Sequence, residues 1–235
     1  MGSLKKFDYV IAGASSAGCV LANRLSSDSQ VRVLILEAGG RDNDVPIQMP
    51  GGALKLLPSQ RHNWYYTTEP QPYAENRTLY WPRGKVLGGS SSINVLLYIR
   101  GHAADYDAWA ATGNRGWSWD EVLPYFKRSE KRIPTEPKWH GTSGPLLVAP
   151  SEIHSPLVEA FLKAGQSAGY PMIPDFKSES QKGIGIYDKN IYRGQRLQLG
   201  CGLPAPRAQP DKKSEFSWIE SDRRDLPPRG KLVQV

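Results

Sequence analysis

The chain is poor in the residues that staple or ligate. Its 235 residues include two cysteines, Cys19 and Cys201, far apart and without metal-ligand spacing. That usage argues against a disulfide framework and a zinc centre, and it fits a reducing, cytoplasmic setting. Long hydrophobic runs are lacking too: the longest unbroken apolar stretch is a few residues, against the roughly 20 that a membrane-spanning helix requires. MGSLKK leads straight into a strand pattern rather than into an apolar signal-peptide core, and Lys6 stands where a myristoylation signal needs Ser or Thr. The formal net charge is +7, yet basic residues are interspersed with acidic ones and no nucleic-acid module accompanies them. Nucleic acid is therefore not an expected partner, while an anionic surface, such as the inner face of a membrane, is compatible with the excess.

What is present begins with a strand, a helix and a strand. FDYVIAG reads as a short buried strand ending in glycine, and from Ala17 the apolar residues Val20, Leu21 and Leu25 recur at helical spacing. VRVLILEAGG, residues 31–40, follows almost without polar interruption, as in a parallel strand covered on both faces. The expected fold class is α/β, Rossmann-like, a parallel sheet with flanking helices. After Arg41 the periodicity fades into an aromatic stretch with prolines at 46, 50, 58, 70 and 72, expected to be irregular and to wrap over the domain or a ligand. Order returns at RTLYWPRGKVLGGSSSINVLLYIRG, where residues 88–92 read as a flexible turn. YDAWAATG and WSWDEVLPYFKRSE read as helices, the second with a capping box from Ser118 to Glu121. SPLVEAFLKAGQSAGY is a third helix, capped by Ser155 with Pro156 at its first position.

GASSAG, residues 13–18, occupies the turn between the first strand and helix. In a dinucleotide-binding turn the first glycine makes the tight exit, the second admits the pyrophosphate to the backbone, and the third lets helix and strand pack closely. Gly13 and Gly18 hold the first and third places, and Ser15 fills the second. Ser15 brings a side chain to the closest approach, with strain of about 1 kcal/mol if positive φ is required, and a hydroxyl able to donate to a phosphate oxygen. Glu37, 19 residues beyond Gly18, stands where an acid accepts the adenosine ribose hydroxyls.

FDYVIAGASSAGCVLANRLS, LILEAGG and above all WPRGKVLGGSSSIN closely resemble the glucose-methanol-choline (GMC) flavoprotein oxidoreductases, over Phe7 to about Arg196. The nearest resemblance is to bacterial FAD-dependent alcohol and choline dehydrogenases. It implies FAD rather than NAD, and an activity that oxidises an aliphatic primary alcohol or choline to the aldehyde by hydride transfer to flavin, reoxidised by a quinone or other acceptor. It implies that Gly13, Ser16 and Ala17 border the pyrophosphate and that Glu37 and Ala38 border the adenosine. Val86, Gly89, Ser90, Asn94, Val95, Leu96 and Leu97 would follow the flavin, with Trp81 and Arg83 nearby. Members that attach flavin covalently carry a histidine just before the asparagine; Ile93 stands there, so noncovalent FAD is implied. Ser15 departs from the family's usual glycine.

The resemblance implies an FAD-binding portion over 1–150 and the start of an α+β substrate domain over 151–196. No residue here is assigned to catalysis, because the family's proton-accepting histidine lies near the end of a chain more than twice this length. His62, His102, His140 and His154 all read as solvated loop or helix-edge residues. From 197 to 235 the tail has no sustained periodicity and is expected to be disordered. LPAPRAQP, residues 203–210, is what codons for the family's continuation yield when read one nucleotide out of frame, which predicts a frameshift origin. A noncatalytic flavin-binding fragment is the competing reading.

Overall fold

The computed structural model describes residues 6–133, 136–151 and 153–197, with the backbone of the strand Ser217–Glu220. In chain order the elements are β1 (Tyr9–Ala12), α1 (Ser16–Leu25), β2 (Val33–Glu37), α2 (Val45–Gln48), α3 (Ala53–Leu56), β3 (Tyr66–Thr67), β4 (Tyr80–Trp81), β5 (Leu97–Tyr98) and α4 (Ala103–Ala111). α5 (Trp119–Ser129), β6 (Glu130–Arg132), β7 (Leu146–Val148), α6 (Pro156–Ser167), β8 (Asp188–Lys189), β9 (Ile191–Tyr192), β10 (Gln195–Arg196) and β11 (Ser217–Glu220) follow. The chain divides into two compact units, residues 1–95 with 198–235, and residues 96–197. The sequence reading put the boundary near 150. Within residues 96–197 the strands pair among themselves, β6 with β7 in parallel and β5 with β8 antiparallel.

In the first unit β1 and β2 pair in parallel, Tyr9 opposite Val33 through Ala12 opposite Leu36, with α1 as the crossover. This is the expected βαβ unit, and β2 is the buried central strand. β1 is not buried as expected: Val10 is 59 % exposed, because β1 lies at the edge of a sheet ordered β1-β2-β11. α1 also turns a different face inward. Gly18 and Ala22 are buried, whereas Val20 and Leu21 are exposed. Small residues let the helix approach the sheet, and the core closes with Ala14, Ala22, Val33 and Ile35, against which Ile11, Cys19, Leu25 and Leu87 pack.

β2's other edge pairs in parallel with β11, Ser217 opposite Leu34 through Glu220 opposite Glu37. The tail expected to lack regular structure thus supplies one strand, since the backbone groups along that edge of a buried strand need partners; its other residues from 198 lie outside the described set. The aromatic stretch after Arg41 is likewise more regular than expected. α2 and α3 lie in it, and β3 pairs antiparallel with β4, Tyr66 opposite Trp81. Ile47 and Leu56 from these helices form a second core with Val86 and Ile93.

In the second unit α4 and α5 come together through aromatic packing, the Tyr106 ring centroid 5.4 Å from Trp109 and 5.7 Å from Phe126. The capping box at α5 forms as expected: Ser118 donates to Glu121 Oε2 from its backbone N–H at 3.1 Å and from its hydroxyl at 2.6 Å. Pro156 opens α6 behind Ser155, also as expected.

The packing of β2 and the exposure of β1 predict opposite outcomes for two truncations. Ile35→Ala should lower the unfolding free energy by about 2–5 kcal/mol, whereas Val10→Ala should stay within about 0.5 kcal/mol, both read from urea denaturation midpoints at unchanged slope.

Candidate dinucleotide site

β1 ends at Ala12, and Gly13 takes φ +93° as the chain leaves the sheet, its N–H donating to Leu36 O at 2.7 Å. Space around Gly13 is open, but its left-handed backbone suits glycine. Ser15 is the N-cap of α1 at φ −77° and ψ −174°, extended backbone that any residue adopts. The strain weighed for Ser15 is therefore absent. Its side chain makes no capping bond and the residue is exposed, so the hydroxyl stands at the helix N-terminus beside the first-turn amides of Ser16 and Ala17. At Gly18 a Cβ would come within 2.0 Å of Gly13 O, which gives the third glycine its steric reason.

Glu37 closes the other side. Its Oε2 accepts the Ala14 N–H at 2.8 Å and its Oε1 accepts the Gly39 N–H at 2.9 Å. One buried carboxylate therefore joins the turn after β1 to the exit of β2, with half-buried Ala38 between the two attachment points. Charge-assisted bonds of this kind are about twice as strong as neutral ones.

The Gly-Ser bend lies directly against this junction. Gly88 N–H donates to Ala14 O at 2.8 Å and Leu87 N–H to Gly40 O at 2.9 Å, with bridges pairing Ser15 to Gly88 and Gly40 to Val86. The bend is not a loose turn: Gly88 and Gly89 take φ +85° and +57°, and residues 89–92 form one turn of 3₁₀ helix. A Cβ on Gly89 would lie 2.5 Å from Ser15 Cβ, and one on Gly39 would lie 2.1 Å from Lys85 C. Ser90 Oγ accepts the Gly84 N–H at 3.1 Å, and the buried Ser92 hydroxyl donates to Leu87 O at 2.7 Å.

The structure thus brings Gly13, Ser15, Ser16, Ala17, Gly18, Glu37, Ala38, Gly89 and Ser90 around one junction. Asn94 and Val95 are exposed just beyond it. Trp81 and Arg83 sit on the segment entering the bend, the guanidinium carbon 4.9 Å from the Trp81 ring centroid. Val86 is fully buried in the second core, packed with Ile47, Leu56 and Ile93. Leu96 and Leu97 belong to the second unit, where the Leu96 carbonyl accepts Asn190 N–H at 3.0 Å and Leu97 pairs with Lys189 in the β5–β8 ladder. A cavity of about 500 Å³ in that unit, among Ile133, Leu147, Ile191 and Arg193, contains no expected site residue.

Asn63 was missed by sequence reading. It is buried, its Oδ1 accepts the N–H groups of Arg83 at 2.9 Å and Tyr65 at 3.1 Å, and its Nδ2 donates to Leu57 O at 3.0 Å. The only sequence signal was an asparagine ahead of an aromatic run. The histidines also depart from expectation. His62 is buried between Ser59 Oγ at 3.1 Å and Asp44 Oδ2 at 2.8 Å, and His140 is 1 % exposed; neither is solvated, because each has carboxylate partners inside the fold. His102 caps α4, accepting the Ala104 N–H at 3.2 Å. Burial pushes the Cys19 thiol up, and its Sγ donates to Ala14 O at 3.2 Å, so it is an inert packing group. Among the described residues no cluster of three or more His, Cys, Asp or Glu is arranged to hold a metal ion, and no helix is long and apolar enough to cross a membrane.

The GMC oxidoreductase family model matches residues 7–199. An oxygen-dependent choline dehydrogenase of Sinorhizobium fredii is 47 % identical over 199 residues, 85 % of this chain and 36 % of that protein. The mitochondrial choline dehydrogenase of Mus musculus is 41 % identical over 224 residues, 92 % of this chain and 38 % of its own length. Among solved structures, pyridoxine 4-oxidase from Mesorbium loti superposes with a TM-score of 0.82 at 35 % identity, covering 92 % of this chain and 42 % of that one. The chain thus spans well under half of each of these proteins.

The glycine contacts and the Glu37 bridge set the prediction for this site. Gly18→Ala and Gly39→Ala should each reduce stability severely, while Gly51→Ala, where a Cβ meets open space, should be nearly neutral. Glu37→Gln puts an N–H against a backbone N–H and should cost about 1–3 kcal/mol; chemical denaturation of the variants side by side checks the ranking.

Proposed function

Because the chain belongs to the GMC oxidoreductase family, we propose that it forms the FAD-gripping part of an FAD-dependent oxidoreductase acting on the CH–OH group of a small alcohol. The observation that carries this reading is the junction of three segments: a helix N-terminus, an anchored acid and a small-residue bend. The fit is chemical as well as topological. First-turn amides and the exposed Ser15 hydroxyl would donate to the pyrophosphate oxygens, where the helix dipole also favours negative charge. Glu37, pinned as an acceptor, would take the adenosine ribose hydroxyls. Gly89 and Ser90 offer backbone and a hydroxyl without bulk to a flat polar ring system.

Bound FAD supplies the hydride acceptor. Ile93 is buried among Ile47, Leu56 and Val86 and carries no nucleophile, which supports noncovalent attachment. His62, His102 and His140 are each hydrogen-bonded within the fold, and no residue of this chain is assigned as the proton acceptor for an alcohol. The names of the relatives favour choline over simple aliphatic alcohols as substrate, with a quinone or other acceptor taking the electrons. A cytoplasmic location, with peripheral contact to the inner membrane through the excess positive charge, accords with this assignment.

Titration of the purified chain with FAD, followed by flavin fluorescence and melting temperature, tests the reading. Saturable binding that NAD does not reproduce is expected. Glu37→Gln should weaken FAD about tenfold, equivalent to about 1.4 kcal/mol. Ser15→Ala should weaken it with little change in stability, since Ser15 makes no capping bond. Colourless protein with no thermal response to FAD would overturn the assignment, and flavin that choline does not bleach would mark the chain as a binder without catalysis.

A further inference from the structure

The second unit contains a buried group of charges that the flavin site does not use. His140 Nδ1 lies 3.0 Å from Glu130 Oε1, and its Nε2 is bonded to Asp175 Oδ2. Glu130 is fully buried at the start of β6, and its Oε2 is paired with Arg100, whose Nη1 donates to Trp139 O at 2.7 Å. Asp175 Oδ1 accepts the Lys177 backbone N–H at 2.9 Å and lies 3.0 Å from Lys177 Nζ. Lys177 Nζ donates to Asp188 Oδ2 at 2.6 Å, as does Arg132 Nε at 2.6 Å, and Lys177 sits 5.8 Å from the Tyr98 ring centroid. These residues come from β5 and the loop after it, β6, the connection from β6 to β7 that carries His140, the loop at 175–177 and β8. They are the titratable and charged groups around the imidazole.

Hydrogen-bond direction decides where one proton sits. An ionised carboxylate only accepts, and a neutral imidazole carries one N–H and one lone pair. With carboxylates on both ring nitrogens, a neutral His140 would set its lone pair against an anion. Glu130 already faces Arg100 and Asp175 already faces Lys177, so each carboxylate has a cationic partner and neither is the place for the proton. We propose that His140 is an imidazolium that ties β6 to the 175–177 loop, and that the second unit loosens when base removes its proton.

Charge balance does not demand that proton, since Glu130, Asp175 and Asp188 already face Arg100, Arg132 and Lys177. Its retention rests on local geometry and is open to titration. Burial alone would lower His140, but the bonds and charges of Asp175 and Glu130 outweigh it and raise the group above its ordinary 6.5. Asp175, despite its burial, is held well below the ordinary carboxylate range by His140 and Lys177. Burial pushes the Tyr98 phenol up, so it stays neutral over the same range. A raised histidine contributes stability that is complete below pH 6.5 and is lost as pH rises through the folded-state value.

The test is nitrogen-15 NMR of the histidine rings in the 235-residue chain across neutral and basic pH, beside melting curves for wild type and His140→Gln. Both His140 ring nitrogens should remain protonated at pH 7, above the ordinary histidine value of 6.5, and the stability advantage of wild type over His140→Gln should shrink as pH rises above 6.5. Asp175→Asn, which leaves one anionic partner, should shift the His140 titration to lower pH. This arm keeps the test decisive if His140→Gln does not fold. A neutral His140 tautomer at pH 7, or an Asp175→Asn titration matching wild type, would overturn the proposal.

Discussion

Glu37 places two carboxylate oxygens between backbone amides 25 residues apart in the chain, those of Ala14 and Gly39, and the turn after β1 is joined to the exit of β2 by that bridge. Without the carboxylate, the buried N–H groups of Ala14 and Gly39 would lose their acceptors, each with a desolvation penalty of about 1–3 kcal/mol. The Ala14 carbonyl is left directed at Gly88, so the residue that receives the carboxylate on one side receives the Gly-Ser bend on the other. A binding surface for a long dinucleotide needs its phosphate, ribose and ring contacts in register. The main-chain bonds that join the three segments here tolerate few side chains: Gly18, Gly39 and Gly89 have no room for a Cβ.

Ser15 illustrates how such a surface absorbs a substitution. The glycine rule for this turn concerns close approach, and the cost of breaking it depends on φ. With Ser15 in extended backbone the residue is unstrained, and its side chain makes no capping bond. Gly13, at φ +93°, has no such latitude.

The strand-helix-strand start, the buried β2, the capping box at Ser118 and the Pro156 helix start were readable in the sequence because each rests on local spacing or local chemistry. What was not readable depends on partners distant in the chain. Val10 and Leu21 are apolar and look like core residues, but burial belongs to neighbours, and Gly18 and Ala22 take the inner face. Val86 lies in the most specific motif and serves the core through Ile47 and Leu56, which come from a stretch without periodicity. His140 and Asn63 sit in polar, proline-flanked loops. Their burial follows from Glu130, Asp175 and Arg83, contacts spanning 10, 35 and 20 residues, that no local pattern announces.

The central claim is that the turn after β1, the exit of β2 and the Gly-Ser bend form one prebuilt surface for FAD. Residue-resolved amide hydrogen exchange, with and without saturating FAD, measures this directly. The account predicts slow exchange at Ala14, Gly39 and Leu87 in the absence of FAD, and a further joint slowing across residues 13–18, 37–40 and 84–92 on its addition. Fast exchange at Ala14 and Gly39, or slowing confined to one of the three stretches, would contradict it.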